Sequence, residues 1–189
     1  MSATAQVQLF VRHEAQRLQI VHPDTQRPIL VQHAPVNQRP YIHPILAPDG
    51  RGCLTENEPW PHLWQHGLYT GLHGVNDMDF WTEGLSGNGL ASDGTFHPAP
   101  LAAPHVDDNQ VQWQVATEWR STSGTALLLE TQHWTFQFFS NHIYLDIHWE
   151  LSARVAITFA KCSYGGLFLR MPFRAEVGAE VIHSEGLVR

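Results

Sequence analysis

From Val111 to Leu151, apolar and polar residues change places at nearly every position, a pattern that buries one face only when the chain is extended. Val111, Trp113, Val115, Thr117 and Trp119 alternate with Gln112, Gln114, Ala116, Glu118 and Arg120. A Ser121-Thr122-Ser123-Gly124 turn follows, and Thr125 to Phe139 holds too many Thr, Trp and Phe residues to favour a helix, so the two segments are expected to form a hairpin. After Ser140-Asn141-His142, residues Ile143, Leu145, Ile147, Trp149 and Leu151 line one face of the next strand. Tyr144, Asp146, His148 and Glu150 line the other.

Val155 to Ala160 and Leu167 to Met171 are read as two further strands, separated by the Ser163-Tyr164-Gly165-Gly166 turn. Upstream, the strand candidates are Val7 to Val11, Leu18 to Val21, Ile29 to His33 and Tyr41 to Leu46. They are punctuated by Pro23, Pro28, Pro35, Pro40, Pro44 and Pro48, which confine any helix to a turn or two. Glu83 to Pro104, rich in Gly and Pro and without periodicity, reads as a long loop, and long loops in compact domains are often functional. Short strands at this spacing predict an all-β fold, an antiparallel β-sandwich occupying residues 1–189 as one domain. A chain of 189 residues is long enough for one core and too short for two ordinary domains.

Charge excludes several functions. Only 15% of residues are charged, the net charge is −7, and Lys161 is the only lysine, so no basic surface for nucleic acid or an anionic membrane is expected. No apolar run of about 18 residues and no leader pattern is seen, so the chain is expected to be soluble and cytoplasmic. Cys53 and Cys162 are expected as free thiols. Phosphate loops, Cys-x-x-Cys pairs and nucleophile elbows are absent.

Chemistry-bearing residues are densest between Glu56 and Glu83, where three His and three Trp accompany Tyr69, Asn76, Asp77, Asp79 and Phe80. Rings beside carboxylates and amides suit a sugar, whose C–H faces stack while its hydroxyls take directed hydrogen bonds. An aromatic core loop is the alternative reading. His62 and His66, four apart, are compatible with a shared metal with His73 as a third ligand, although Pro61 and Gly67 bracket the pair; packed or hydrogen-bonded histidines are the alternative, and no cofactor is expected. On the polar strand face, Asp146 and Glu150 with Glu130 or Glu118 across the sheet would make an acid–base carboxylate pair, unless that face is simply solvated.

Four segments together resemble one family: Arg39 to Gly50 (RPYIHPILAPDG), His62 to Leu68 (HLWQHGL), Val75 to Trp81 (VNDMDFW), and Tyr164 to Leu167 leading to Arg170-Met171. Their order and approximate spacing are similar to the PmoA-like family, commonly labelled methane oxygenase PmoA, over about residues 27 to 175. The resemblance implies a sandwich of the galactose-mutarotase type, with functional positions at His62, Asn76, Trp81, Glu130, Asp146 and Arg170. Gln65 and His66 stand where the family usually has a second His followed by Arg, and family members generally continue well past the Tyr-Gly-Gly segment, so missing strands and an incomplete site are also expected. A membrane monooxygenase subunit needs several apolar spans of about 20 residues, so the label is taken as a name and not as a reaction.

These readings converge on a carbohydrate-active enzyme, an epimerase, lyase or hydrolase, with a small-molecule or glycan ligand. His62, Asp146 and Glu130 are its expected acid–base residues, and Asn76, Trp81, Trp64, His66, Asp79 and Arg170 its expected ligand contacts. A non-catalytic sugar-binding module and a metal-dependent oxygenase are the alternatives.

Overall fold

The structure, a computed structural model, describes residues 8–83, 85, 93–139 and 141–174. Two antiparallel sheets pack face to face as a β-sandwich. The first contains β1 (Phe10–Glu14), β2 (Arg17–Val21), β3 (Pro28–His33), β4 (Tyr41–Ile45), β5 (Leu68–Val75), β6 (Met78–Asp79) and, returning from far along the chain, β12 (Gly165–Leu169) beside β5. The second contains β7 (Thr95–Pro98), β8 (His105–Asp107), β9 (Gln110–Arg120), β10 (Ala126–Phe138) and β11 (Ile143–Ala153). No helix of the described residues is long and apolar enough to cross a membrane.

The alternation predicted for β9 to β11 sets the layers. Val111, Trp113, Val115, Thr117 and Trp119 are buried, and β10 carries Leu128, Trp134 and Phe136 inward in register with them. Facing them from the first sheet are Leu18, Ile20, Leu30 and Ile42, all fully buried. A second cluster joins Val75, Phe80, Phe96, Trp119 and Leu128. The outward row of β11, Tyr144, Asp146, His148 and Glu150, is exposed and lies beside outward Thr131, His133 and Thr135 of β10. Along the open side of the sandwich, Leu145, Ile147, Trp134, Leu68, Leu167 and Leu169 line an apolar cleft of about 460 Å³.

Four segments differ from expectation. Leu68 to Val75, read as part of a loop, is the strand β5 between β4 and β12. It is buried on both faces, so it shows no period-two signal, and the glycines just before and within it answer to close packing. A Cβ added at Gly67 would lie 2.3 Å from the Ile42 carbonyl oxygen, and one at Gly71 would lie 3.0 Å from that of Phe80. Val155 to Ala160 is not a strand of either sheet. Asn76 holds this segment instead, accepting from Thr158 N–H at 2.7 Å and donating to the Ala156 carbonyl at 3.0 Å. Within Glu83 to Pro104, Thr95–Pro98 pairs with β9 and buries Phe96, while residues 84 and 86–92 lie outside the described residues. The first strand runs Phe10–Glu14 rather than Val7 to Val11, with residues 1–7 likewise outside. Cys53 and Cys162 are free thiols.

The glycine geometry predicts a graded result. Gly67→Ala forces backbone apart and is expected to cost about 3 kcal/mol, whereas Gly124→Ala, with open space but φ of 85°, should cost about 1 kcal/mol. Urea unfolding of the two variants checks the order, and equal costs would contradict the close approach at Gly67.

Candidate functional site on the outer face of the first sheet

Thr70 of β5 donates its hydroxyl to Glu130 inside the sandwich, so alternation turns Tyr69, Gly71 and His73 to the outer face. Register carries the same face across the sheet: Tyr41 lies opposite Tyr69, His33 opposite Tyr41, and Phe168 opposite Tyr69. These rings touch in sequence. His33 stacks on Tyr41 at 4.7 Å between centroids, Tyr41 on His66 at 4.5 Å, and His66 meets the edge of Tyr69 at 6.2 Å. Tyr69 contacts Trp81 at 5.5 Å, Trp81 contacts Tyr164 at 5.4 Å, and Tyr164 contacts His73 at 5.6 Å. The middle of this layer is buried, at His66, Tyr69 and Trp81. Its two ends reach solvent, at His33, Tyr41 and His43 on one side and at His73 and Tyr164 on the other.

The imidazoles at the first end are held uncharged. Burial lowers the pKa values of His33 and His43, and burial together with the Arg39 guanidinium pushes His66 down to about 3. Two carboxylates stand within reach of His66, Glu58 at 3.7 Å and Glu83 at 4.0 Å, yet they do not offset these effects. His66 Nδ1 lies 3.0 Å from Asn57 Oδ1, which as an acceptor places the proton on Nδ1. His43 Nδ1 lies 2.8 Å from Thr55 Oγ1. Tyr41 has its phenol pKa raised, by burial first and then by Glu58 and Glu83.

Under the layer sits Arg39, fully buried. Its guanidinium lies 4.4 Å from the Tyr69 ring centroid, pairs with Glu83 and donates to the Trp81 carbonyl. Burial raises the pKa of Glu83, with Arg39 opposing. Glu58 (φ 50°) and Glu83 (φ 52°) both occupy left-handed backbone, at a cost of about 1 kcal/mol each that tends to collect at working sites.

The model of the family described as "Family of unknown function (DUF6807)" matches residues 24–189. The chain belongs to this family. No curated protein and no solved structure matches it. Every side chain of the ring layer lies within the part that matches DUF6807.

In this DUF6807 chain, the residues expected to form a site fall in six places. His66, Trp81 and Asp79 come together on the outer face; Asp79 is buried and accepts from Trp81 N–H at 2.6 Å and the Thr82 hydroxyl at 2.7 Å. Arg170 lies at its margin, paired with Glu56 at 3.1 Å and felt electrostatically at Tyr69. His62 stands exposed on the loop before β5, edge-on to the half-buried Trp64 at 5.3 Å, whereas His66 is buried and stacked on Tyr41. Asn76 occupies the tight turn between β5 and β6, where it and Asp77 both have positive φ, and its amide is spent on backbone.

Glu130 and Asp146 face opposite sides of the second sheet. Glu130 is fully buried between the sheets, accepting from Thr70, Gln132, Trp119 and Trp149, while Asp146 points to solvent from β11. They form no pair, and Glu118 is engaged by Arg120. Among the described residues, no three His, Cys, Asp or Glu side chains are placed to hold a metal ion.

Sequence reasoning missed His33, Tyr41, His43, Glu58 and Glu83 as site members. Tyr41 and His43 are two apart on one strand, and so are Tyr69, Gly71 and His73, a same-face spacing that marks the outer row once β5 is known to be a strand.

Proposed function

We propose that the chain is a carbohydrate-active enzyme, an epimerase, lyase or hydrolase, and that its sugar or oxidised-sugar ligand lies on the outer face of the first sheet. The observation that carries this reading is the layer of stacked rings flanked by uncharged imidazoles. Of these rings Tyr164, 48% exposed, keeps a face open to the C–H side of a pyranose, and a neutral imidazole offers one donor and one acceptor to hydroxyls without the cost of desolvating a charge. Glu58, exposed above His66, adds a carboxylate at the solvent side. The resemblance to the PmoA-like family and its mutarotase-type sandwich supports the same ligand class, and the scarcity of basic side chains argues for sugars over phosphate-bearing polymers.

The test is incubation with neutral and oxidised monosaccharides, followed by proton NMR of the sugar. Tyr41→Ala and His43→Ala are expected to lower turnover about 100-fold, while His62→Ala and Asp146→Asn, away from this face, should stay within about twofold of wild type. Turnover that survives Tyr41→Ala and His43→Ala but falls with Asp146→Asn would move the site to the second sheet and defeat the proposal. Saturable binding with no product from any sugar would leave a binding module in place of an enzyme.

A further inference from the structure

Among the described residues, the side of the sandwich that carries the apolar cleft ends in two unpaired edges, β11 in the second sheet and β12 in the first. Core-facing side chains there are left uncovered. Leu167 and Leu169 stand opposite Thr70 and Leu68 of β5, which turn inward, yet they are 48% and 46% exposed. Across the cleft, Ile143, Leu145 and Ile147 of β11 are only half-buried, although their row continues the inward face of β10.

The backbone of this edge is unspent as well. Arg154 N–H donates to the Leu127 carbonyl and Phe139 N–H to that of His142, so the antiparallel ladder with β10 uses the even-numbered residues of β11. The N–H and C=O groups of Ile143, Leu145, Ile147, Trp149 and Leu151 therefore point away from β10. The strand is 11 residues long, pairs with β10 without a bulge, and contains no Pro and no Lys. Elsewhere the sheet edges are protected: β7 and β8 are four and three residues long, β7 ends in Pro98, and β1 carries Arg12 and Glu14. β11 has none of these protections.

We propose that a second copy of this chain pairs with β11, antiparallel about a two-fold axis at Ile147, so that the second sheets run together and the two apolar clefts close against each other. The sugar face lies on the outer side of the other sheet, so this pairing stands independently of the carbohydrate reading. Because the free backbone groups belong to odd-numbered residues, self-pairing must set odd opposite odd. Charge then selects among the registers. A two-fold at Asp146 would bring two Asp146 carboxylates together, and one at His148 would set Asp146 against the partner's Glu150. A two-fold at Ile147 sets Asp146 opposite the partner's His148 and Tyr144 opposite the partner's Glu150, each twice by symmetry. A two-fold at Trp149 keeps His148 opposite the partner's Glu150 but leaves Asp146 against Ser152. In the Ile147 register residues 143–151 of both strands pair, and on the inner side Leu145 meets the partner's Trp149. That contact covers apolar surface which β12 leaves open.

Sedimentation velocity of the intact chain at micromolar concentration tests the proposal on wild type, His148→Asp, and the exchange of Asp146→His with His148→Asp in one chain. Wild type is expected to be a dimer. His148→Asp alters only the exposed outer row, sets two pairs of carboxylates opposite each other, and should raise the dimer dissociation constant about 20-fold. The exchange restores the Asp–His pairs with their places reversed, and should return the constant to within about threefold of wild type. In the Trp149 register the exchange would instead keep two carboxylates opposed, so a loss that persists overturns the pairing at Ile147. A monomeric wild type, or a dimer that His148→Asp leaves unchanged, overturns the proposal outright. In a monomer, an apolar fluorescent dye distinguishes the occupants: a cleft that takes no dye would be covered by residues 175–189 of the same chain, and one that takes it would be open to a different protein.

Discussion

Replacing Glu130 by alanine should destabilise the fold by about 4 kcal/mol, because the buried Thr70 hydroxyl and Trp119 indole lose their acceptor, the half-buried Trp149 indole loses its own, and Gln132 keeps only Thr70, at about 1 to 3 kcal/mol for each orphaned donor less what local water and repacking restore. Thr70 reaches Glu130 from the first sheet, Trp119 and Trp149 from the strands on either side of β10, and Gln132 from two positions along the same strand. Gln132 continues the network to Thr70 and to Trp134, and Trp113 closes on Gln32 across the layers. The carboxylate therefore joins both sheets at a point where neither can supply water. Glu130→Gln keeps one acceptor oxygen and turns an NH2 group toward donors, so a loss of about 2 kcal/mol is expected. Urea unfolding monitored by tryptophan fluorescence measures both. A loss under about 1 kcal/mol for Glu130→Ala would contradict the structural role.

Acid should unfold the chain through His66. Its folded pKa of about 3 lies below the ordinary 6.5, so the folded state binds a proton less readily than the unfolded chain. The stability it contributes is complete above pH 6.5 and is lost as pH falls toward 3, at about 1.4 kcal/mol per pH unit. Between about pH 7 and about pH 4.5 this predicts a loss of about 3 kcal/mol. His33 and His43, also lowered, act in the same direction. Glu83 acts in the opposite one: its pKa is raised in the fold, so its contribution is largest below the ordinary carboxyl value of 4.5 and declines as pH rises through the folded value. His66→Gln should flatten most of the acid loss, read as the urea midpoint at the two pH values. A wild-type midpoint that does not move would mean that His66 is solvated and charged like a surface histidine.

Much of the second sheet was legible because it is wet on one side. In β9 the buried residues, and in β11 the half-buried ones, alternate with mostly polar ones, and a face that must meet water writes its period into the sequence. β5 has both faces covered, by the core on one side and by Trp81 and His66 on the other, so composition carried no alternation and its glycines imitated a loop. The separation of Glu130 from Asp146 was within reach of the same argument. Glu130 shares its parity along β10 with Leu128, Trp134 and Phe136, which must face inward, while Asp146 alternates with Leu145 and Ile147. The His-rich segment does contribute His66, Trp81 and Asp79 to the outer face. Their partners, Tyr41 on β4, His33 on β3 and Tyr164 before β12, arrive through non-local pairing, and strand order is not written in local spacing.

The most direct test of the outer face as the ligand site is calorimetric titration of the intact chain with neutral monosaccharides, comparing wild type, Tyr41→Ala and Asp146→Asn. Saturable heat in wild type and Asp146→Asn that disappears in Tyr41→Ala is the predicted result. Heat that survives in Tyr41→Ala and vanishes in Asp146→Asn, or no saturable heat with any sugar, would contradict it.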